Sequence, residues 1–271
     1  MESRVKTGRT LENKVAVIYG AGGAIGGAVA RAFAEEGARL FLTGRQRQSV
    51  EQVASEIISA GGAAEVAEVD ALNEQEVDNH LETVTGKAGR VDISFNAIGL
   101  PTAKHLGIPL ITLDAEQFSL PLTNYATSYF LTARLAARRM IPNKSGVIMT
   151  VTALPSRIGY PLNGGYGPAQ AAKEALTRCL SGELAPHGIR VVSLRAHGLP
   201  ETRTMAKVFE LKAQQSKMTW EQFVGYLVNS THPRRGLTLA EVANAAVLVA
   251  SDKASGLTGT NVNLSLGSLD D

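Results

Sequence analysis

Short apolar runs alternate with longer amphipathic segments along this chain. The runs are four to six residues long, rich in Val, Ile and Leu, and bounded by Gly, Asp or Asn. Such runs are typical of strands buried inside a parallel sheet. They predict strands at Lys14–Tyr19, Arg39–Thr43, Ala64–Val69, Val91–Asn96, Gly146–Val151, Ile189–Leu194 and Asn261–Leu264.

The segments between these runs carry apolar residues at helical spacing. Gly37 ends the first segment and Gly61 ends the second, as glycine does at many helix C-termini. The predicted helices are Ile25–Glu36, Ser49–Ser59, Glu74–Thr85, Leu122–Met140, Gly167–Ala185 and Leu239–Ala250. Alternation of strand and helix predicts an α/β fold, with a doubly wound parallel sheet covered by helices on both faces.

The segment at about 200–235 breaks this rhythm. It mixes polar residues with large apolar ones, namely Met205, Phe209, Met218, Trp220, Phe223 and Tyr226. Connections of this length are often active-site lids. We therefore predict a substrate-covering segment here, within a single domain over residues 13–271 that follows a flexible N-terminal lead-in at residues 1–12.

Charge and composition argue against several classes of partner. The chain has 27 basic and 25 acidic residues, a net charge of +2 and no long basic run, so nucleic acid is not expected as a partner. No apolar run approaches the roughly 18–20 residues that span a bilayer, which predicts no membrane partner. The single cysteine, Cys179, excludes an internal disulfide and favours a cytoplasmic location. The histidines lack metal-ligand spacing, so no metal site is predicted.

A glycine-rich turn lies between the first predicted strand and the first predicted helix. The segment Tyr19–Gly27 reads YGAGGAIGG. Glycine permits a tight turn and close approach of the backbone to a pyrophosphate, and the following helix N-terminus offers free N–H groups. A plain glycine turn is the alternative, but the position at the first strand–helix junction favours phosphate binding.

This turn resembles the TGxxxGxG signature of short-chain dehydrogenases/reductases, with Tyr19 in place of Thr and Ala24 in place of the middle Gly. Further segments resemble family motifs in the same order: Asn96–Gly99 resembles NNAG, and Leu257–Gly259 resembles the closing segment. The resemblance implies a Rossmann-type fold that binds a nicotinamide dinucleotide. The cofactor-binding residues that it implies are Gly20, Gly23, Ala24, Ile25, Gly26, Arg45, Asp70, Ala71, Asn96, Ala97, Gly99, Tyr166, Gln170, Leu199 and Thr202.

The end of the second strand bears on the choice between NADP(H) and NAD(H). A carboxylate there grips the ribose hydroxyls of NAD and repels a 2′-phosphate, but Thr43–Arg47 contains neither Asp nor Glu. Arg45 is suited to a forked, charge-assisted pair with a phosphate, so we predict NADP(H) rather than NAD(H). The alternative is that Arg45 and Arg47 are solvated surface charges.

Reduction of a carbonyl by hydride transfer requires a proton donor for the developing alkoxide. The resemblance implies that Tyr166 is this donor and that Asn124 is the family's catalytic asparagine. The register of Glu174–Arg178 places Gln170 where the family has its catalytic lysine. Ala153, thirteen residues before Tyr166, stands where the family has serine. In the alternative interpretation Tyr166 only packs the helix start.

Three residues are candidates to compensate for the missing groups. Ser156 follows Ala153 by three residues and is a candidate hydroxyl donor, whereas Thr152 should face the opposite side of its strand. Lys173 has the Tyr-x6-Lys spacing of enoyl reductases. It lies about 60° around the helix from Gln170, however, and is expected on the surface or at an oligomer face. His197 is expected as a loop residue beside the cofactor.

These features predict an NADP(H)-dependent oxidoreductase acting on the carbonyl or hydroxyl of a small-molecule, 3-oxoacyl-like substrate. One alternative is a catalytically impaired dinucleotide-binding sensor or interaction protein. A second is an enoyl-type reductase that uses Tyr166 and Lys173. The family resemblance also implies a homo-oligomer, either a dimer or a tetramer, formed through the helices at 122–140 and 167–185.

Overall fold

A seven-stranded parallel sheet forms the centre of the molecule. The computed structural model describes residues 8–99, 106–203, 206–208, 210–211 and 217–270. The strands are β1 (Val15–Tyr19), β2 (Arg39–Gly44), β3 (Ala63–Glu68), β4 (Ile93–Asn96), β5 (Gly146–Ala153), β6 (Ile189–Ala196) and β7 (Thr260–Leu264). Their order is β3-β2-β1-β4-β5-β6-β7, and every adjacent pair is parallel. The predicted doubly wound, single-domain fold is confirmed.

Helices cover both faces of this sheet. Those whose full extent is described are α1 (Ala24–Glu35), α2 (Arg47–Ser59), α3 (Glu74–Ala88), α4 (Ala115–Leu122), α5 (Ser128–Met140), α6 (Tyr166–Leu184), α7 (Trp220–Asn229) and α8 (Leu239–Ala250). Of the flexible lead-in predicted at residues 1–12, residues 1–7 lie outside the described residues, as do Met205 and Phe209 of the predicted lid. Leu11, in the same lead-in, is fully buried in the core, so the chain is packed rather than flexible at this point.

Two apolar clusters hold the layers together, one on each face of the sheet. Alternate side chains of β1 enter different clusters, as the pleat of a strand requires. Ile18 packs with Phe33 of α1 in the first cluster, and Val17 packs with Leu81 of α3 in the second. A strand buried on both faces reads as a continuous apolar run, which is why the sequence pattern located β1 within one residue.

The helix predicted at Leu122–Met140 begins earlier than the sequence indicates. Asp114 caps α4 by accepting a hydrogen bond from the Gln117 N–H at 2.7 Å, so the helical region starts at Ala115. A π-helical turn at Thr123–Thr127 then joins α4 to α5. The predicted start was therefore wrong, because the capping residue lies eight positions before Leu122. Single π turns inside helices often occur at functional sites, and this one contains Asn124.

The order of the strands determines where a ligand can bind. The chain runs outward from β1 through β2 to β3, returns to β4 beside β1, and then continues outward in the other direction. The connections after β1 and β4 therefore diverge at the carboxyl ends of these two strands and leave a crevice between them.

Candidate active site

A cleft of about 910 Å³ opens at the carboxyl edge of the sheet. It brings together predicted residues from seven separate stretches of chain. The predicted site residues that line it are Gly20, Gly23, Ala24, Ile25, Arg45, Asp70, Ala71, Ala97, Gly99, Asn124, Tyr166, Gln170, Leu199 and Thr202. A smaller crevice of about 470 Å³ lies at the opposite edge of the sheet, where the strands begin. The Lys14 ammonium and the Asp252 carboxylate that line it form an ion pair with each other at 3.1 Å.

Two predicted cofactor residues lie behind the cleft and do not line it. Gly26 packs so closely on the carbonyl of Gly20 that a Cβ atom would overlap it. The Asn96 side chain donates to Thr132 Oγ1 at 3.1 Å and accepts from the Ile98 N–H at 3.3 Å. Both residues therefore shape the turns that border the cleft, one through close packing and the other through hydrogen bonds.

The glycine turn has the geometry of an anion cradle. Gly20 has φ +79°, and a Cβ there would lie 2.9 Å from the Ala97 carbonyl oxygen. No side chain caps the N-terminus of α1, so its first N–H groups are free to bind a phosphate. Ala24 is exposed, so the methyl group that replaces the family's glycine leaves the turn intact. Side chains cap the N-termini of four other helices: Asn73, Asp114, Thr219 and Thr238.

The end of the cleft beside β2 carries an arginine that makes no ion pair with described residues. Arg45 is exposed at the end of β2 and lines the cleft beside Ser49. Arg47 differs, because its Nε donates to Glu51 Oε1 at 2.6 Å one turn along α2. Arg45 is thus the cation available to a ligand phosphate. Asp70 lies across the cleft and accepts the Leu72 N–H at 3.0 Å.

Tyr166, Gln170 and Ala153 meet at the other end of the cleft. Tyr166 begins α6, and the ring of Tyr125 packs against it edge-on with centroids 5.6 Å apart. Burial, and to a smaller extent Tyr125, raises the pKa of the Tyr166 phenol above its ordinary value. The phenol is therefore protonated at neutral pH. Gln170 is neutral, so it supplies no charge to stabilise a phenolate.

Asn124 lines this end of the cleft from the π turn. Its Nδ2 donates to the Leu120 carbonyl oxygen at 2.7 Å, a bond that anchors the side chain within the turn. Tyr125, the next residue, also lines the cleft and packs on Tyr166, a role that the sequence did not reveal. Pro121 inside the helical region was the one local signal of an irregular turn there.

The structure does not bring Ser156 to the cleft. Its hydroxyl donates to Glu174 Oε1 at 2.7 Å, and Thr152 donates to the same oxygen at 3.0 Å. Glu174 also forms a buried ion pair with Arg195, with N–O distances of 2.8 and 2.9 Å. Ser156 therefore belongs to a buried polar network, and the space beside Ala153 has no hydroxyl from this loop. Thr152 lines the cleft, but its hydroxyl is engaged by Glu174.

Lys173 is not a surface residue, which corrects the expectation from the sequence. It is 1% exposed, and its Nζ donates to the Val151 carbonyl oxygen at 2.7 Å. The rings of Tyr125 and Tyr129 lie 5.6 and 5.9 Å from the ammonium. Burial lowers the pKa of Lys173 to about 7. The buried stripe of α6 is wide enough to include positions 170, 173, 174 and 177, so a rotation of about 60° from Gln170 did not bring Lys173 to the surface.

The chain after β6 forms the remaining wall. His197 is 6% exposed, and its backbone N–H donates to the Leu264 carbonyl oxygen at 3.2 Å. It lies beside the cleft, as predicted. Thr202 Oγ1 donates to the Leu199 carbonyl oxygen at 3.0 Å and closes a local turn. Lys207 and Leu211, from the segment predicted to cover the substrate, also line the cleft.

Two other kinds of feature are absent from the part of the chain that the structure describes. No group of three or more His, Cys, Asp or Glu side chains there is arranged to hold a metal ion. No helix in those residues has the length and apolarity that crossing a membrane requires.

Comparison with known proteins gives consistent matches over nearly the whole chain. A family model described as enoyl-(acyl carrier protein) reductase matches residues 20–268. Short chain aldehyde dehydrogenase 1 of Euphorbia lathyris is 30% identical over 96% of this chain and 89% of its own length. The structure of NAD+-bound xylitol dehydrogenase matches with TM-score 0.87 at 26% identity, covering 94% of this chain and 98% of that one. Actinorhodin polyketide ketoreductase with NADPH matches in fold, with TM-score 0.86 at 23% identity, covering 94% and 98%.

Proposed function

The chain belongs to the short-chain dehydrogenase/reductase family, and on this basis we propose that it is an NADP(H)-dependent oxidoreductase acting on a carbonyl or hydroxyl group. One observation carries the proposal: a single cleft joins an uncapped helix N-terminus and a free arginine to a protonated tyrosine. A small-molecule substrate, 3-oxoacyl-like in its reacting group, suits this cleft. We place the protein in the cytoplasm and expect a homo-oligomer.

Residues at different positions along the cleft have different proposed roles. The α1 N-terminus and the glycine turn would hold the pyrophosphate, and Arg45 would hold the 2′-phosphate. When bound, the nicotinamide ring supplies or accepts a hydride. Tyr166 donates its phenolic proton to the reacting oxygen, and its raised pKa keeps this proton in place until the oxygen becomes strongly basic. Gln170, with a neutral amide, is suited to hydrogen bonds with ribose hydroxyls.

A catalytically impaired sensor is the second candidate, because Ala153 and Gln170 replace two groups that the family uses. Lys173 does not line the cleft, which weakens the enoyl-type alternative. Binding and turnover separate the two candidates. NADPH binding is measured by ligand fluorescence, and NADPH consumption is followed with a panel of ketones, 3-oxoacyl thioesters and enones. Tight binding without consumption of NADPH by any substrate would establish the sensor and exclude the enzyme.

Arg45→Glu is expected to weaken NADPH binding about 10- to 100-fold. Charge-assisted hydrogen bonds contribute about 1.5–3 kcal/mol, and the variant removes them and adds repulsion. NADH lacks the 2′-phosphate, so its dissociation constant should change by less than about threefold. Arg47→Glu is the matched control, because Arg47 already pairs with Glu51 and should affect neither cofactor. Equal weakening of NADPH and NADH by the Arg45 variant would contradict the assignment.

Restoring the two missing groups should increase ketone reduction. The double variant Ala153→Ser/Gln170→Lys places a hydroxyl and an ammonium at the reacting end, and we expect at least about a tenfold rise in kcat/KM. The control is Ala153→Ser/Gln170→Met, which has similar side-chain volume but no charge. A double variant that binds NADPH normally and gains nothing over this control would show that Tyr166 does not respond to charge at position 170.

A further inference from the structure

The carboxylate of Glu174 joins three neighbouring segments of chain to α6. Arg195 of β6 donates to its two oxygens at 2.8 and 2.9 Å. Thr152 of β5 and Ser156 of the loop after β5 donate to Oε1 at 3.0 and 2.7 Å. Glu174 itself belongs to α6, the helix that begins with Tyr166. One side chain therefore connects β5, the loop after it and β6 to the helix that carries the proposed proton donor.

Burial and charge make these hydrogen bonds strong. The side chains of Glu174 and Arg195 are both buried. Burial alone would raise the pKa of the Glu174 carboxyl, but the hydrogen bonds from its three partners outweigh this effect and hold the pKa below its ordinary value. The carboxylate is therefore ionised at neutral pH. Hydrogen bonds to an ionised group are roughly twice as strong as those between neutral groups.

The loop that contains Ser156 packs directly on the residue next to Tyr166. Leu154–Ser156 forms a single helical turn. The Pro155 carbonyl oxygen in this turn lies so close to Gly167 that a Cβ atom there would be 2.9 Å away. A shift of the loop would therefore move the backbone that carries the Tyr166 phenol. Ser156 does not line the cleft, so any effect that it has on the chemistry must pass through this contact.

We propose that Ser156 is a positioning residue for proton transfer: its bond to Glu174 fixes the loop after β5 against the start of α6 and so holds Tyr166 in place at the reacting oxygen. The inference rests on the proposed function. The reaction is the one given above, in which the hydride of the reduced nicotinamide forms the C–H bond and the Tyr166 proton forms the O–H bond. A displacement of about 1 Å at a reacting group can reduce the rate about 100-fold.

Ser156→Ala tests this role without disturbing the buried ion pair. Variants of Glu174 would leave the buried guanidinium of Arg195 without its carboxylate and could prevent folding. With the fastest ketone of the panel, Ser156→Ala should lower kcat about tenfold. The KM for the ketone and the NADPH dissociation constant should stay within about threefold, because the surface of the cleft is unchanged.

Two further variants separate positioning from a general loss of stability. Ser156→Thr keeps the hydroxyl and should recover at least about half of the wild-type kcat. Ser181→Ala is the matched control on the same helix. The Ser181 hydroxyl shares a hydrogen bond with Thr258 Oγ1 at 2.7 Å, and neither residue lines the cleft. Loss of this bond should leave kcat unchanged.

A second measurement does not depend on turnover. In protein that contains isotope-labelled tyrosine, the NMR signal of Tyr166, assigned by its loss in Tyr166→Phe, should shift in Ser156→Ala and not in Ser181→Ala. An unchanged Tyr166 signal, an unchanged kcat, or an effect confined to KM would overturn the proposal. So would weaker NADPH binding that accounts for the lost turnover, because the loop would then serve the cofactor. Wild-type protein that binds NADPH and consumes none with any substrate would instead refute the proposed function, and the NMR comparison would still test the position of Tyr166.

Discussion

Tyr166→Phe is expected to reduce NADPH-dependent turnover about 1000-fold while leaving the NADPH dissociation constant within about threefold of wild type. The variant removes only the phenolic oxygen. The ring that packs edge-on against Tyr125 is retained, so the start of α6 and the shape of the cleft should be preserved. Gln170 is neutral, and the Lys173 ammonium donates to the Val151 carbonyl oxygen instead, so neither replaces the lost proton donor.

Single-turnover kinetics with bound NADPH provide the measurement, since they report the chemical step apart from product release. Tyr226→Phe is the control: this tyrosine is 62% exposed on α7 and does not line the cleft. A Tyr166→Phe rate close to that of wild type would remove Tyr166 as the proton donor. Loss of NADPH binding together with turnover would mean that the tyrosine holds the cofactor rather than the proton.

Lys173→Met should increase the free energy of unfolding by about 2–4 kcal/mol at pH 7. The lysine pKa of about 7, well below the ordinary 10.5, means that burial disfavours the ammonium strongly. A pKa shift of this size corresponds to a penalty on the order of 4–5 kcal/mol. Methionine has a similar length and avoids the penalty. It leaves the Val151 carbonyl oxygen without its donor, however, and this loss reduces the expected stabilisation by about 1–2 kcal/mol.

The pH dependence provides the decisive check on this second prediction. Above pH 7 the folded protein loses the Lys173 proton, whereas the unfolded chain keeps it up to about pH 10. The unfolded state thus binds more protons, and wild-type stability should rise by about 2 kcal/mol between pH 7 and pH 9. Lys173→Met should lack this rise. Burial lowers the pKa of His80 to about 4, which affects stability only at lower pH.

Chemical denaturation across this pH range measures both effects. Lys144→Met is the control, because Lys144 is exposed and its loss should change neither the stability nor its pH dependence. If the wild-type and Lys173→Met curves run parallel from pH 7 to pH 9, Lys173 keeps its proton in the folded protein. A destabilised variant would show instead that the contacts with Val151 and the two tyrosine rings outweigh the cost of burying the ammonium.

The part of the cleft formed by the glycine turn and Arg45 could largely be predicted from the sequence, because the features that form it are local. The glycine turn depends on backbone angles and close approach within a few residues, and Arg45 follows directly from the end of β2. The pairing of Arg47 with Glu51 was also predictable, since residues four apart face each other on a helix. That pairing would have removed Arg47 from the phosphate candidates at once.

The end of the cleft that contains Tyr166 and Gln170 could be predicted from the sequence only in part. The register of α6 correctly placed Tyr166 and Gln170 on the cleft, because they lie one turn apart on the same helix face. Ser156 illustrates the limit: its partner Glu174 is 18 residues away in sequence, and Glu174 is held in turn by Arg195 on another strand. No local sequence pattern predicts this hydrogen-bond network, because its members come from three separate elements.

The sequence by itself determined the alternation of buried strands and amphipathic helices, the glycine turn after β1 and the absence of a lysine at position 170. Each of these is a property of neighbouring residues, governed by periodicity or backbone freedom. The tertiary structure alone decided that Lys173 is buried beside two tyrosine rings and that the Ser156 hydroxyl donates to Glu174. The physical reason is that burial and pairing energies depend on which distant segments meet.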